Sequence, residues 1–283
     1  MIPPSITMVV YAVAADTSII RIFLAGFLPG FVLMALFCGY IAWWALRHPQ
    51  QMPAAEPSIS FAQKLYRSRN LIPCGGLIVF ICWALVAGWA TATECAAYGV
   101  VGALVLAIIS RSLTWGNFCE GLMGATRTSC MIMFILAGAA FLTKTMAFTG
   151  IPRELALWVD SMHLSPVALI SVLVVVYLVL GTALDGISMI VLTAAVVLPM
   201  VQKAGFDLVW FGIFVILLVE IAEVTPPVGF NLFVLQNMTG KDSNVIARAA
   251  IPFFACLVVC IALITLFPQI VTFLPDAVMG VAK

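Results

Sequence analysis

SPVALISVLVVVYLVLGTALDGISMIVLTAAVVLPM, residues 165–200, is the stretch that decides the fold. Its 36 residues are apolar or small almost throughout, and as one helix they would extend ~54 Å, well past a hydrocarbon layer of ~30 Å. The run must bend or break. GTALDGIS, from Gly181 to Ser188, is where glycines, hydroxyls and a carboxylate permit it. Residues 211–238 repeat the pattern, with EIAEVTPPVGFN at 220–231 as the interruption. Pro226 and Pro227 remove two successive amide donors there and Gly229 permits an unusual dihedral, so helical hydrogen bonding cannot pass. Non-helical backbone at membrane depth is tolerated only where it is buried in protein or lines a cavity.

The chain around these interruptions can make no water-soluble surface: 64% of its 283 residues are hydrophobic and 9% are charged, against roughly a quarter charged in an ordinary soluble domain. The expected fold is an all-α polytopic membrane protein with broken helices and a re-entrant hairpin, with the lipid bilayer as its surroundings. Spans are expected at residues 22–46, 71–90, 94–109, 130–148 and 251–273. Residues 114–127, with Glu120, read as an amphipathic interfacial helix. A turn at 149–152 (TGIP) leads into 154–162, read as a second hairpin arm or a surface helix. Residues 47–70 hold Arg47, Lys64, Arg67 and Arg69 against Glu56, which places this linker in the cytoplasm.

An internal repeat is also expected. IPPSITMVVY at 2–11 resembles TPPVGFNLFV at 225–234 at an offset of 223, and the same offset sets Pro29 on Pro252. The chain then divides into the tail of a first repeat with its following transmembrane helix (1–46), the linker (47–70) and a second repeat (71–283). Its start carries no basic n-region or small-residue cleavage pattern of a signal peptide. A net charge of +1 gives no footprint for nucleic acid. The eight cysteines lie mostly in apolar windows without a CxxC pair, and are read as inert thiols. His48 and His163 are read as solvated interface residues.

Carboxylates within a membrane are unfavourable by a few kcal/mol each, so they mark function when they face a protein interior or a water-filled cavity. Asp185 lies between Gly181 and Gly186. Freed carbonyls, a hydroxyl such as Thr182 or Ser188, and this carboxylate make an oxygen-rich site suited to a small hard cation. The alternative is a polar loop at the membrane surface that caps two short helices. At the second interruption, half-helix carboxyl ends suit Na⁺ or H⁺ and half-helix amino ends suit anionic substrate groups. Glu223 and Asn231 flank that break and Glu220 precedes it by a turn, while an ordinary proline kink is the competing reading. Glu94 is expected to serve the amino-terminal dipole of its helix. Lys144 and Arg153 could meet the interface or an anionic substrate. No Ser/His/Asp set, histidine metal pair or phosphate-binding glycine loop is present, which argues against an enzyme.

Five motifs together carry a family resemblance: GWATATECAAYG (88–99), FILAGAAFLTKTMAFTGIP (134–152), LGTALDGISMIVLTAAVVLP (180–199), EVTPPVGFNLFVLQ (223–236), and IPFF with LFPQIVTFLP from residue 251 onward. They resemble the DctM-like large membrane subunit of tripartite ATP-independent periplasmic (TRAP) transporters over essentially the whole chain. One departure is Ala92, where the family usually has proline. The resemblance implies a Na⁺-coupled importer of organic acids, of the C4-dicarboxylate, keto acid or sugar acid class, in the bacterial inner membrane. It implies an elevator motion, a small membrane subunit and a periplasmic substrate-binding protein as partners, and no cofactor beyond Na⁺ as coupling ion. It also implies two inverted repeats, each with a hairpin and a broken helix. Carried onto this sequence, the cation site comprises Gly181, Thr182, Asp185, Gly186, Ser188, Thr225 and Val228, and the substrate cavity Glu223, Pro226, Pro227, Gly229 and Asn231. Family members are longer and carry IPPS-like residues at the end of repeat one, so most of that repeat is expected to be absent from this chain, leaving it without transport on its own. A non-transporting structural or assembly subunit is the alternative.

Overall fold

The structure, a computed structural model, describes residues 2–52, 60, 63–64, 66, 68, 71–151, 154, 157–158, 161, 165–181, 184–225 and 230–280. Among them every regular element is helical. In chain order these are α1 (Ile6–Ala14), α2 (Ile19–Arg47), α3 (Leu71–Val86), α4 (Ala92–Ile109), α5 (Trp115–Thr149), α6 (Pro166–Leu180), α7 (Gly186–Lys203), α8 (Leu208–Val224), α9 (Phe230–Thr239), α10 (Ser243–Leu266) and α11 (Gln269–Met279). Helices are what so apolar a chain can form in lipid, because each backbone group then finds its partner within its own segment. Helices α2, α4, α7 and α10 and the Trp115–Leu142 part of α5 are long and apolar enough to cross a membrane. The chain is an integral membrane protein of the polytopic kind.

The residues fall into two compact units, 38–130 and the remainder, with the borders inside α2 and α5. In the first, α3 and α4 pack together where Gly99 meets Ile81 and Gly102 meets Leu77. Most of their other side chains, Val79, Phe80, Val100 and Val101 among them, point outward, the surface a bilayer solvates. Glu94 takes the role expected of it. The Thr91 amide donates to Glu94 Oε2 at 2.7 Å and the Glu94 amide to Thr91 Oγ1 at 3.3 Å, a reciprocal cap on α4.

The second unit is organised around α8. Its residues 209–219 are all buried, as are Ile221 and Ala222. A helix apolar on every side belongs at the centre of a bundle, and α6, α7, α10 and α1 pack around it. Asp207 starts it by accepting from the Trp210 amide at 2.8 Å. The Trp210 indole donates to the Ile264 carbonyl of α10 at 2.9 Å, and Tyr11 of α1 donates to the Leu208 carbonyl at 2.7 Å. Helices α2 and α10 run antiparallel: Cys260 Sγ reaches the Pro29 carbonyl and Cys256 Sγ the Leu36 carbonyl, each at 3.9 Å, while Phe37 meets Phe253 edge-on. Helices α2 and α10 begin 224 residues apart, one residue from the offset read in the sequence.

Two expectations need correction. Residues 114–127 do not form a separate interfacial helix, because α5 runs unbroken for 35 residues from Trp115. The fall in hydropathy near Ser129 changes the solvent a helix prefers but removes no hydrogen bond, and no proline intervenes. Conversely, residues 251–273 are not one span. Phe267, ahead of Pro268, leaves the helix at φ −126° and ψ 74°, and α11 begins at Gln269. The residue before a proline is pushed out of the helical region, and the ring supplies no amide. The expected arm at 154–162 lies mostly outside the described residues.

Candidate functional site

The first interruption reverses the chain. Tyr177 Oη lies 2.6 Å from Thr193 Oγ1, although a continuous helix would hold these residues ~24 Å apart along its axis. Helices α6 and α7 are therefore the arms of a hairpin, joined through residues 181–185, and both arms pack on α8. At the tip, Gly181 lies against Ala222 of α8 and Gly186 against Val219. A Cβ on Gly186 would also sit 2.7 Å from Glu223 Oε1. Two small residues thus let the hairpin tip touch the carboxyl end of α8, immediately before the second interruption.

Asp185 is the N-cap of α7. Its Oδ2 accepts from the amides of Ile187 and Ser188, both at 3.2 Å, and its Oδ1 from the Ser188 hydroxyl at 2.5 Å. The Gly186 amide goes elsewhere and donates to Glu223 Oε1 at 3.2 Å. All three leading amides of α7 are consequently held by carboxylates, one of them reaching across from α8. Negative charge is favoured at that helix end. An anionic substrate does not find these amides free.

At the second interruption Thr225 leaves the helix at φ −78° and ψ 122°. Its amide turns to the Ala222 carbonyl at 3.2 Å, and its hydroxyl donates to the Ile221 carbonyl at 2.6 Å. The hydroxyl thereby replaces the backbone donor that the Ile221 carbonyl loses where the helix ends. Thr225 and Ser188 each spend their proton on another oxygen, and each keeps hydroxyl lone pairs able to meet a hard cation.

Of the expected site residues, Gly181, Asp185, Gly186, Ser188, Glu223 and Thr225 are thus brought to one region where the hairpin tip meets the end of α8. Thr182, Pro226, Pro227, Val228 and Gly229 lie outside the described residues. Asn231 is in α9, with its side chain outside them. Glu223, expected to line a substrate cavity, has one oxygen on α7. Glu220 lines an open space of about 520 Å³ with Val224, Leu235, Lys241 and Phe253. A second open cavity, about 710 Å³, lies among α1, α5 and α7 with Asp16, Lys144 and Gln202 at its polar points. Helical spacing from Glu223 was the available signal for Glu220: three residues apart, the two share a side of α8.

Discontinuous helices meeting within an apolar bundle, with carboxylates and hydroxyls at the meeting point, define a polytopic membrane protein of the permease kind. Residues 1–270 match the family model described as "Tripartite ATP-independent periplasmic transporter, DctM component". The chain belongs to that family, which is one of transport permeases and not of enzymes. It is 32% identical over 277 residues to the C4-dicarboxylate TRAP transporter large permease protein DctM of Pseudomonas aeruginosa, covering 98% of this chain and 64% of that protein. It is 32% identical over 280 residues to the ectoine/5-hydroxyectoine TRAP transporter large permease protein UehC of Ruegeria pomeroyi, with 98% and 64% covered. It is 27% identical over 282 residues to the sialic acid TRAP transporter large permease protein SiaM of Vibrio cholerae, with 99% and 65% covered. The chain spans just under two thirds of the length of these relatives.

Proposed function

We propose that this chain works in a large permease subunit that imports a small organic acid through the bacterial inner membrane, coupled to Na⁺ and moving as an elevator. A small membrane subunit and a periplasmic substrate-binding protein are its partners in that reading. The observation that carries it is the junction of the two interruptions, where Asp185, Ser188 and Thr225 gather hard oxygen donors beside backbone that has left the helix. The named substrates of the relatives differ, so the fold supports the transport class and pocket chemistry selects the compound. The 224-residue spacing of the α2 and α10 starts supports a repeat, with α1 and α2 as the tail of its first copy and the following helix. Na⁺ that orders the broken backbone raises affinity for the anion, and the anion must raise affinity for Na⁺ equally.

The test is reconstitution of the complete transporter that contains this chain, with both partners, in proteoliposomes under an imposed Na⁺ gradient. Uptake of a labelled C4-dicarboxylate, or of another organic acid in a panel, should require Na⁺. Asp185→Ala and Thr225→Ala should each weaken that requirement. Na⁺ dependence unchanged in both variants overturns the site, and a complex that inserts but moves no substrate supports the structural-subunit alternative.

A further inference from the structure

Glu223 stands two residues before Thr225, yet its Oε1 accepts from the first amide of α7, on the far side of the other interruption. The two interruptions are 37 residues apart in sequence, and this bond joins them directly. Beside it the contacts of Gly181 with Ala222 and of Gly186 with Val219 are too close to admit a side chain. The junction is therefore a fitted surface that the Gly186–Glu223 hydrogen bond crosses.

We propose that Glu223 is a positioning residue that ties the two helix interruptions into one element, so that ordering either one orders the other. The chemistry suits the task. A carboxylate on the end of α8 meets the positive end of α7, and a charged acceptor gives a stronger bond there than a neutral one. Substrate contact is not required of it. The inference takes its transport consequence from the proposed function, since a cation held by Thr225 would then be felt at Asp185. The coupling itself stands on the junction alone.

Hydrogen exchange of the full chain in lipid nanodiscs, read by mass spectrometry on peptides covering 184–190, 219–225 and 243–266, tests it without Na⁺ or substrate. Glu223→Ala should speed exchange in the α7 peptide by about tenfold or more, with α10 unchanged, because a half-buried carboxylate acceptor for the first amide of α7 is lost. Glu223→Gln keeps an acceptor oxygen and should restore most of the protection. Gly186→Ala perturbs from the other side, since its Cβ crowds Glu223 and Val219. It should speed exchange at 219–225, as reciprocity demands. Exchange at 184–190 unchanged in Glu223→Ala, or raised equally in α10, overturns the proposal, as does Gly186→Ala confined to its own peptide. Should Glu223→Ala not fold, Glu223→Gln and Gly186→Ala decide by the same two peptides. Failure of Na⁺-driven uptake with coupled exchange intact would overturn the transport reading and leave the tie standing.

Discussion

Gly181→Ala probes the packing of the hairpin tip. Gly181 has right-handed helical dihedrals, φ −65° and ψ −11°, so alanine brings no backbone strain. What forbids it is the neighbour. An added Cβ lands on Ala222 Cβ, with Ala222 Cα at 3.1 Å and Met189 Cε at 3.3 Å. The methionine methyl can swing away, but the backbone of the central helix α8 cannot, so the variant should lose ~1–3 kcal/mol, the usual range for overpacking. Equilibrium unfolding in mixed micelles gives the value. Ala222→Gly alone should lose about 1 kcal/mol as a helix-interior glycine. In the double variant the space is returned, and the combined loss should fall below the sum of the two by at least ~1 kcal/mol. Gly39→Ala is the control, since its Cβ meets no atom within 4 Å, and it should be neutral or stabilising by up to about 1 kcal/mol. A Gly181→Ala variant within ~0.5 kcal/mol of the parent, or strict additivity in the double, refutes the close approach of α6 to α8.

Asp185 separates capping from charge: Asn caps almost as well as Asp, so Asp185→Asn should lose only a few tenths of a kcal/mol while Asp185→Ala loses ~0.5–2 kcal/mol, measured by the same unfolding assay. Tyr177→Phe should lose about 1 kcal/mol or less, because Thr193 keeps its bond to the Met189 carbonyl at 2.8 Å. A loss well above that, read from the same unfolding curves, would contradict the hairpin geometry drawn from this pair. Arg21 bonds Asp276 at 2.9 Å and the Gly280 carbonyl at 2.7 Å, with the Asp276 side chain 35% exposed. Arg21→Ala should therefore lose no more than ~1 kcal/mol, but speed proteolysis after residue 269 by loosening α11.

Much of this was legible from particular residues. The lengths of the apolar runs required breaks at 181–188 and near 225, and the paired prolines and the glycines marked where they fall. Glu94 showed its role through Thr91 three residues earlier, a purely local signal. What sequence could not supply is which way the chain leaves a break. Reversal at 181–185 follows from Tyr177 meeting Thr193, a contact no local pattern encodes. Glu223 lies beside the break in sequence, yet it also accepts from the Gly186 amide 37 residues away, which no local pattern encodes either. Proline was an ambiguous marker throughout. Pro29, Pro199 and Pro252 stay inside helices while Pro268 ends one, since a bundle can satisfy the freed carbonyl of a kinked membrane helix. The continuity of α5 is hidden in the sequence because hydropathy changes near Ser129 where hydrogen bonding does not.

The central claim is that the two interruptions form one cation-responsive element. Hydrogen exchange of the chain in nanodiscs, titrated with Na⁺ against a choline background at constant ionic strength, tests it most directly. The peptides covering 184–190 and 219–225 should slow together, with the same half-saturating Na⁺, while α10 does not respond. Protection of neither peptide, or of the two at separate Na⁺ concentrations, would contradict the account.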